Sequence, residues 1–171
     1  MKNKHIFVLL LFTLVIYSCQ EITKETFDYR SLQFDTNRIS IFNWDSTMYS
    51  FAKYSEPLYL TNDDISLTDS LLKDAVDEFN KTQSEGFFKA FNEQVPIDSF
   101  KIDLARFKRQ YFPYRDSNGK RVLHLICFSK EFPEWRSKVY HGGVHAGISI
   151  FFLRINLSDR KSDEFSTGGY G

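Results

Sequence analysis

Cysteine is scarce in this sequence of 171 residues, occurring only at positions 19 and 127. Once Cys19 is assigned to the leader described below, Cys127 is the only thiol left. No intrachain disulfide can then form, and stability must come from an ordinary apolar core. An excess of either charge is also missing, since 22 Lys and Arg face 22 Asp and Glu. Without a basic surplus to meet a phosphate backbone, the chain does not read as a nucleic-acid binder. Glycine-rich phosphate loops, CxxC pairs and HExxH helices are absent as well, so no cofactor or catalytic constellation is expected. Full disorder is excluded by 42% hydrophobic and 26% charged residues. What the chain does have is aromatics, at 17% with 18 Phe. Only Phe7, Phe12 and Tyr17 precede Cys19, so this excess belongs to the folded part.

The chain opens with Lys2 and Lys4 ahead of the apolar run Ile6 to Tyr17. Twelve residues rise only about 18 Å as a helix, short of the roughly 30 Å hydrocarbon core of a bilayer. The run therefore reads as a signal peptide. It ends in Ile16-Tyr17-Ser18-Cys19, which resembles the bacterial lipobox, in which the cysteine is acylated before cleavage ahead of it. The expected organisation is a lipoprotein signal peptide over 1–18, a lipidated N-terminus and tether over 19–36, and one domain over 37–171. Acyl chains on Cys19 would hold the protein to a leaflet, each buried methylene contributing roughly 0.8 kcal/mol.

Order in the tether is expected near Phe27 to Phe34. Ile39 to Trp44 suggests a short strand, and residues 46 to 60 read as irregular. Leu67, Leu71, Ala75 and Phe79 then recur at four-residue steps, reinforced by Leu72 and Val76. This predicts a helix from Ser66 to Ser84, capped by Ser66, with Thr61 and Asp64 boxing a preceding turn. Gly86 stops or bends it, and Phe87, Phe88 and Phe91 continue as a second short segment. After Pro96 the period changes to two. A half-exposed strand from Arg106 to Arg115, the hairpin signal Asp116-Ser117-Asn118-Gly119 and a central strand from Arg121 to Ser129 follow. A short strand at Lys138 to Tyr140, a strong one from Gly147 to Leu157 and a returning one from Ser162 to Thr167 complete the sheet. The fold class is α+β: one long helix packed on a curved antiparallel sheet of about four strands, with a cystatin/NTF2-like look.

Candidate sites are few. His124, Cys127, His141 and His145 are four potential zinc ligands within 22 residues. However, His124 and Cys127 stand three apart on a strand and point to opposite faces. The structural alternative is a small core cysteine with solvated loop histidines. A small hydrolase or metal-dependent enzyme using His124, His141 or His145 is the rival to a non-enzymatic binding or structural module. The carboxylate pairs Asp63-Asp64, before the helix, and Asp77-Glu78, on its exposed side, read as helix-terminal and surface charges. Gly142-Gly143 reads as a tight turn, or as a loop whose amides receive an anion or a partner backbone. Most aromatics, among them Phe79, Phe107, Phe128, Phe151 and Phe152, fall at core positions. Tyr111, Tyr114, Trp135 and Tyr140 are left as an exposed surface on which, with Gly142 and Gly143, a partner would dock.

The stretches RQYFPYRDSNGKRVLHLICFSKEFPEWRSKVYHGGV and SIFFLRINLSDRKSDEFSTGGYG, together with the Cys19 lipobox, carry a likeness. They resemble the small, uncharacterised lipoproteins common in Bacteroidota, in which a Gly-Gly turn, an Ile-Asn-Leu strand end and a Gly-Tyr-small ending recur. The matching positions here are Gly142, Gly143, Ile155, Asn156, Leu157, Gly169 and Tyr170. The resemblance implies a cell-envelope location, lipid-anchored in the outer membrane, and an α+β domain. It brings no catalytic or ligand residues. Apart from the resemblance, lipid anchoring, a compact domain and the lack of a catalytic constellation give the expected partners: the membrane, through acylated Cys19, and an envelope protein, peptide or glycan.

Overall fold

Thr61 and Asp64 exchange the two hydrogen bonds of a capping box. The Asp64 amide donates to Thr61 Oγ1 at 3.2 Å, and the Thr61 amide donates to the Asp64 carboxylate at 2.8 Å. They close the start of helix α1, Asn62–Gly86. The helix thus begins about one turn before the predicted Ser66, whose hydroxyl instead donates back to the Asn62 carbonyl at 3.1 Å. A reciprocal pair satisfies two orphan amide donors where a lone serine satisfies one, so the box takes the terminus. The buried stripe is also rotated from the predicted one. Ile65, Thr68, Leu72 and Val76 are buried, while Leu67, Leu71, Ala75 and Phe79 are partly buried along its shoulder. Steps of four drift around a helix of 3.6 residues per turn, whereas mixed steps of three and four stay on one face.

The structure, a computed structural model, describes residues 27–45, 55–86, 100–142 and 146–168. The leader, Cys19, residues 20–26, the Phe87 to Phe91 continuation, Gly143, His145, Gly169 and Tyr170 lie outside the described residues. Among the described residues no helix is long and apolar enough to cross a membrane.

Six strands form one mixed sheet: β1 (Ile39–Ile41), β2 (Glu56–Pro57), β3 (Lys108–Arg115), β4 (Arg121–Phe128), β5 (Ile150–Asn156) and β6 (Lys161–Thr167). The order is β1-β3-β4-β5-β6, with β2 pairing the far end of β3. The antiparallel run β3 to β6 fits the expected meander, with β4 in the middle. The wholly antiparallel sheet of about four strands is corrected by β1, which lies parallel to β3 with Ile39 opposite Arg109. The chain between them passes through α1, and a crossover of that kind can return a strand in parallel. The segment Gly147–Ser149 forms a 3-10 turn, so the strong strand starts at Ile150.

Turn chemistry sets the register of the meander. In the β3–β4 turn, Asp116 Oδ1 accepts from the amides of Asn118 and Lys120, and Gly119 takes a φ of +74°. In the β5–β6 turn, the Asn156 side chain both donates to and accepts from Asp159.

Both faces of the sheet are covered. Tyr111, Leu123, Leu125, Cys127, Phe151 and Leu153 join Leu72 and Val76 under α1. Phe112, Tyr114, Val122, Ile126, Phe128 and Ile150 form a second core on the other side with Phe42, Trp135 and Ala146. Phe151 and Phe152 face opposite ways, as strand alternation demands. The strand expected to be half-exposed is buried from Gln110 through Tyr114, because each of its faces meets a core.

Candidate functional site

Among the described residues no helix lies over the second core. Its cover is residues 132–140, an irregular segment whose backbone groups need partners. Gln110 supplies them. Wholly buried on β3, its Nε2 donates to the carbonyls of Trp135 and Lys138 at 2.6 and 2.7 Å, and its Oε1 accepts from the Tyr140 amide at 2.8 Å. One carboxamide does here what a neighbouring strand would do. The strand predicted at Lys138 to Tyr140 is therefore not formed: its backbone bonds to a side chain. Tyr140 stacks on Phe128 with centroids 4.3 Å apart, and Phe132 packs against Tyr140 at 5.4 Å.

This clamp holds Trp135 nearly buried beneath two cations. Lys108 Nζ lies 4.7 Å from the ring centroid and the Arg136 guanidinium 4.6 Å, both within cation–π range. Arg136 also donates to the Thr36 carbonyl at 3.0 Å. Two long side chains that would otherwise sample many rotamers are thereby held in place. Beside them runs a groove whose charged lining is Arg106, Lys108, Lys130 and Glu131, with Phe132 and Trp135 on its apolar side. Three cations against one carboxylate make it positive. Arg106 and Lys130 are exposed and have no ion-pair partner among the described residues. An adjoining depression shares Arg106 and Ser129 and adds Lys101 and Asp103. Such a surface can receive carboxylate or phosphate oxygens.

The predicted docking aromatics need correction. Tyr111, Tyr114 and Trp135 are buried at 0%, 5% and 3% exposure, and Tyr140 is half-buried. Tyr111 lies under α1 and Tyr114 in the second core, so neither offers a surface. Trp135 forms the floor of the charged region, with cations above, while Tyr140 stacks on Phe128 in the second core. Gly142 is exposed at a φ of +71°, and a Cβ there would come within 2.9 Å of Ile150 Cδ1. That combination requires glycine for the turn and its packing.

His124 and Cys127 occupy opposite faces, as their spacing predicts. His124 lies between the rings of Phe112 and Phe152, with centroids at 6.5 and 6.3 Å, and pairs across the sheet with Arg154. Burial, and then the positive charge of Arg154, lower its pKa to about 4, so the imidazole is neutral at pH 7. Cys127 is fully buried in the helix-side core. Burial pushes its thiol up to about 12, only partly offset by Arg109, so it stays protonated and unreactive. The two are not a nucleophile and its base. His141 is exposed, and among the described residues no group of three or more His, Cys, Asp or Glu side chains could hold a metal ion.

Sequence reasoning named Trp135 for a partner surface but missed Gln110, Lys108 and Arg136, which build the site around it. Gln110 is a lone carboxamide among the cationic and aromatic residues of RFKRQYF, and that misfit was its only signal. Lys108 and Arg136 acquire their role by meeting over Trp135 from separate segments. The Asp63-Asp64 pair also divides: Asp63 is exposed, whereas Asp64 is buried, caps α1 and bonds Arg121. Compared with family models, curated proteins and solved structures, the chain finds no match.

Proposed function

We propose that this protein is a lipid-anchored component of a bacterial cell envelope, held to the outer membrane through acylated Cys19. Its domain is a non-enzymatic module that docks an acidic segment of an envelope protein or peptide. The anchor is supported by the apolar run Ile6 to Tyr17 leading into Ile16-Tyr17-Ser18-Cys19. The likeness to Bacteroidota lipoproteins supports the location. The cystatin/NTF2-like reading belongs to the same proposal, supported by a long helix lying on one face of a meander.

One observation carries the binding role: Lys108 and Arg136 stand over the buried Trp135 ring at 4.7 and 4.6 Å, beside Arg106 and Lys130. Cations already fixed on an aromatic base have little further entropy to lose on binding, which favours recognition of carboxylates. The test is crosslinking capture from envelope extracts with the full-length lipidated protein and an Arg106→Glu/Lys130→Glu double variant. The wild type recovers an acidic protein, recovery falls with added salt, and charge reversal lowers it at least fivefold. Equal recovery by both proteins, or capture of an anionic glycan alone, overturns the docking reading. A Cys19→Ser variant that stays in the membrane fraction overturns the anchor.

A further inference from the structure

Where the described chain begins, three aromatic rings meet at the surface. Phe27 stacks on Tyr59 with centroids 4.2 Å apart, and Tyr29 meets the same Phe27 ring edge-on at 5.1 Å. Leu58 and Leu60, on either side of Tyr59, are buried in the helix-side core, whereas Tyr59 is 39% exposed. Among the described residues it is the one large hydrophobic side chain exposed to that degree, and Phe27 and Tyr29 beside it are only half-buried. Single exposed rings are ordinary, but three in contact at one place need a physical reason. The backbone beneath them is pinned: the Phe27 amide donates to Asn43 Oδ1 at 3.0 Å and the Gln33 amide to Asn62 Oδ1 at 2.8 Å.

Eight residue steps separate Cys19 from Phe27, a span of at most about 29 Å even when fully extended. An acyl anchor on Cys19 therefore keeps the rings within that distance of the bilayer. Such a short link holds the membrane at an effective concentration of roughly millimolar or above, so a patch too weak to bind lipid alone stays seated. Rings that carry a polar tip settle at the level of lipid headgroups, with the apolar body among the chains and the hydroxyl in water. The charge nearby selects the kind of surface. Within residues 27–34 and 55–63 the exposed charges are Asp28, Arg30, Glu56 and Asp63. Arg30 pairs with Asp28 at 2.8 Å, which leaves no basic surplus to attract an acidic surface.

We propose that Phe27, Tyr29 and Tyr59 seat in the zwitterionic headgroup region of the bilayer that carries the Cys19 anchor, and that this second contact fixes how the domain stands on the membrane. Pro57, two residues before Tyr59, pairs with Tyr114 at the hairpin end of β3, whereas Lys108 at the other end of β3 lines the cationic groove. Six residue steps of strand, about 20 Å, separate the two levels. The seated rings thus turn the groove away from the leaflet, towards a partner in the aqueous space. The inference rests on the proposed anchor and is independent of what the groove docks.

The full-length acylated protein, floated with phosphatidylcholine vesicles, tests this. A nitroxide is attached at Ser31→Cys, exposed beside Tyr29, or at Lys130→Cys by the groove. Acylated Cys19 and the buried, protonated Cys127 take no label. The ratio of collisions with oxygen to collisions with a water-soluble nickel chelate reads the depth of each label. At Ser31 the ratio is at least threefold that at Lys130, and added salt leaves it unchanged. Tyr59→Asp, at an exposed position, brings the Ser31 ratio down to the Lys130 value without lowering the unfolding midpoint. Should that variant lose stability, Tyr59→Ser gives the same reading without a new charge. Equal ratios in protein that floats overturn the ring contact and leave the anchor standing, as does a ratio indifferent to both Tyr59 variants. Protection that grows with protein density, with coupling between Ser31 labels, shows a second copy over the rings and also overturns it. Protein that does not float overturns the anchor and this inference with it.

Discussion

The two faces of the sheet solve the same problem in different ways. On one, α1 lays its Ile65, Thr68, Leu72 and Val76 stripe over Tyr111, Leu125 and Phe151. Its backbone is satisfied within the helix, so apolar burial does most of the covering. Asn80 adds a polar pin, accepting from the Ile102 amide at 2.8 Å and donating to its carbonyl at 2.9 Å. On the other face an irregular segment does the covering, and Gln110 must satisfy backbone groups at Trp135, Lys138 and Tyr140. A helix brings its own hydrogen bonds, whereas a loop over a core must borrow them from a side chain. The borrowed face is also the one that fixes cations above an aromatic floor.

Leu72→Ala breaks the helix face most directly. The side chain is almost wholly buried, and its loss costs about 3 kcal/mol, read as a lower midpoint in urea unfolding. The whole domain shares the loss, because α1 covers the centre of the sheet. Gln110→Ala is smaller and local, about 2 kcal/mol, since three backbone groups lose their partner. Amide exchange across 132–140 rises while α1 stays protected. Asn80→Ala, at a half-buried position with two bonds, costs about 1 kcal/mol. Should Asn80→Ala cost more than Gln110→Ala, the contrast between the faces fails.

The smallest effect concerns pH. His124 is neutral in the fold with a pKa lowered to about 4, while in the unfolded chain it titrates near 6.5. Between those values the unfolded state binds the extra proton, so stability is full above 6.5 and declines as pH falls towards 4. Partial exposure limits the loss to on the order of 1 kcal/mol. His124→Phe, packed between Phe112 and Phe152, flattens that part of the pH–stability curve. An unchanged slope would mean that the face tolerates a charged imidazole beside Arg154.

Much of the fold was legible because it follows local periodicity. The helix, the Asp116 turn, the central β4 and the opposed Phe151 and Phe152 all come from spacing. The helix start was misread because Ser66 looks as good a cap as Thr61, and only the reciprocal bond with Asp64 separates them. The parallel β1 was hidden because a strand of three residues carries no mark of its neighbour. The site was barely legible. Tyr111 and Tyr114 lie in the ring-rich run QYFPY and Trp135 in a loop, a pattern that suits exposed rings as well as buried ones. Their burial depends on covers supplied from elsewhere in the chain.

The sequence alone settled the long helix and the four strands of the meander, and that His124 and Cys127 cannot share a face. Both follow from periodicities of 3.6 and 2, which are properties of consecutive residues. Tertiary structure alone decided that a glutamine would stand in for a strand and that Lys108 and Arg136 would meet over Trp135. These are contacts between residues separated by tens of positions, set by how one helix and one irregular segment divide two apolar faces between them.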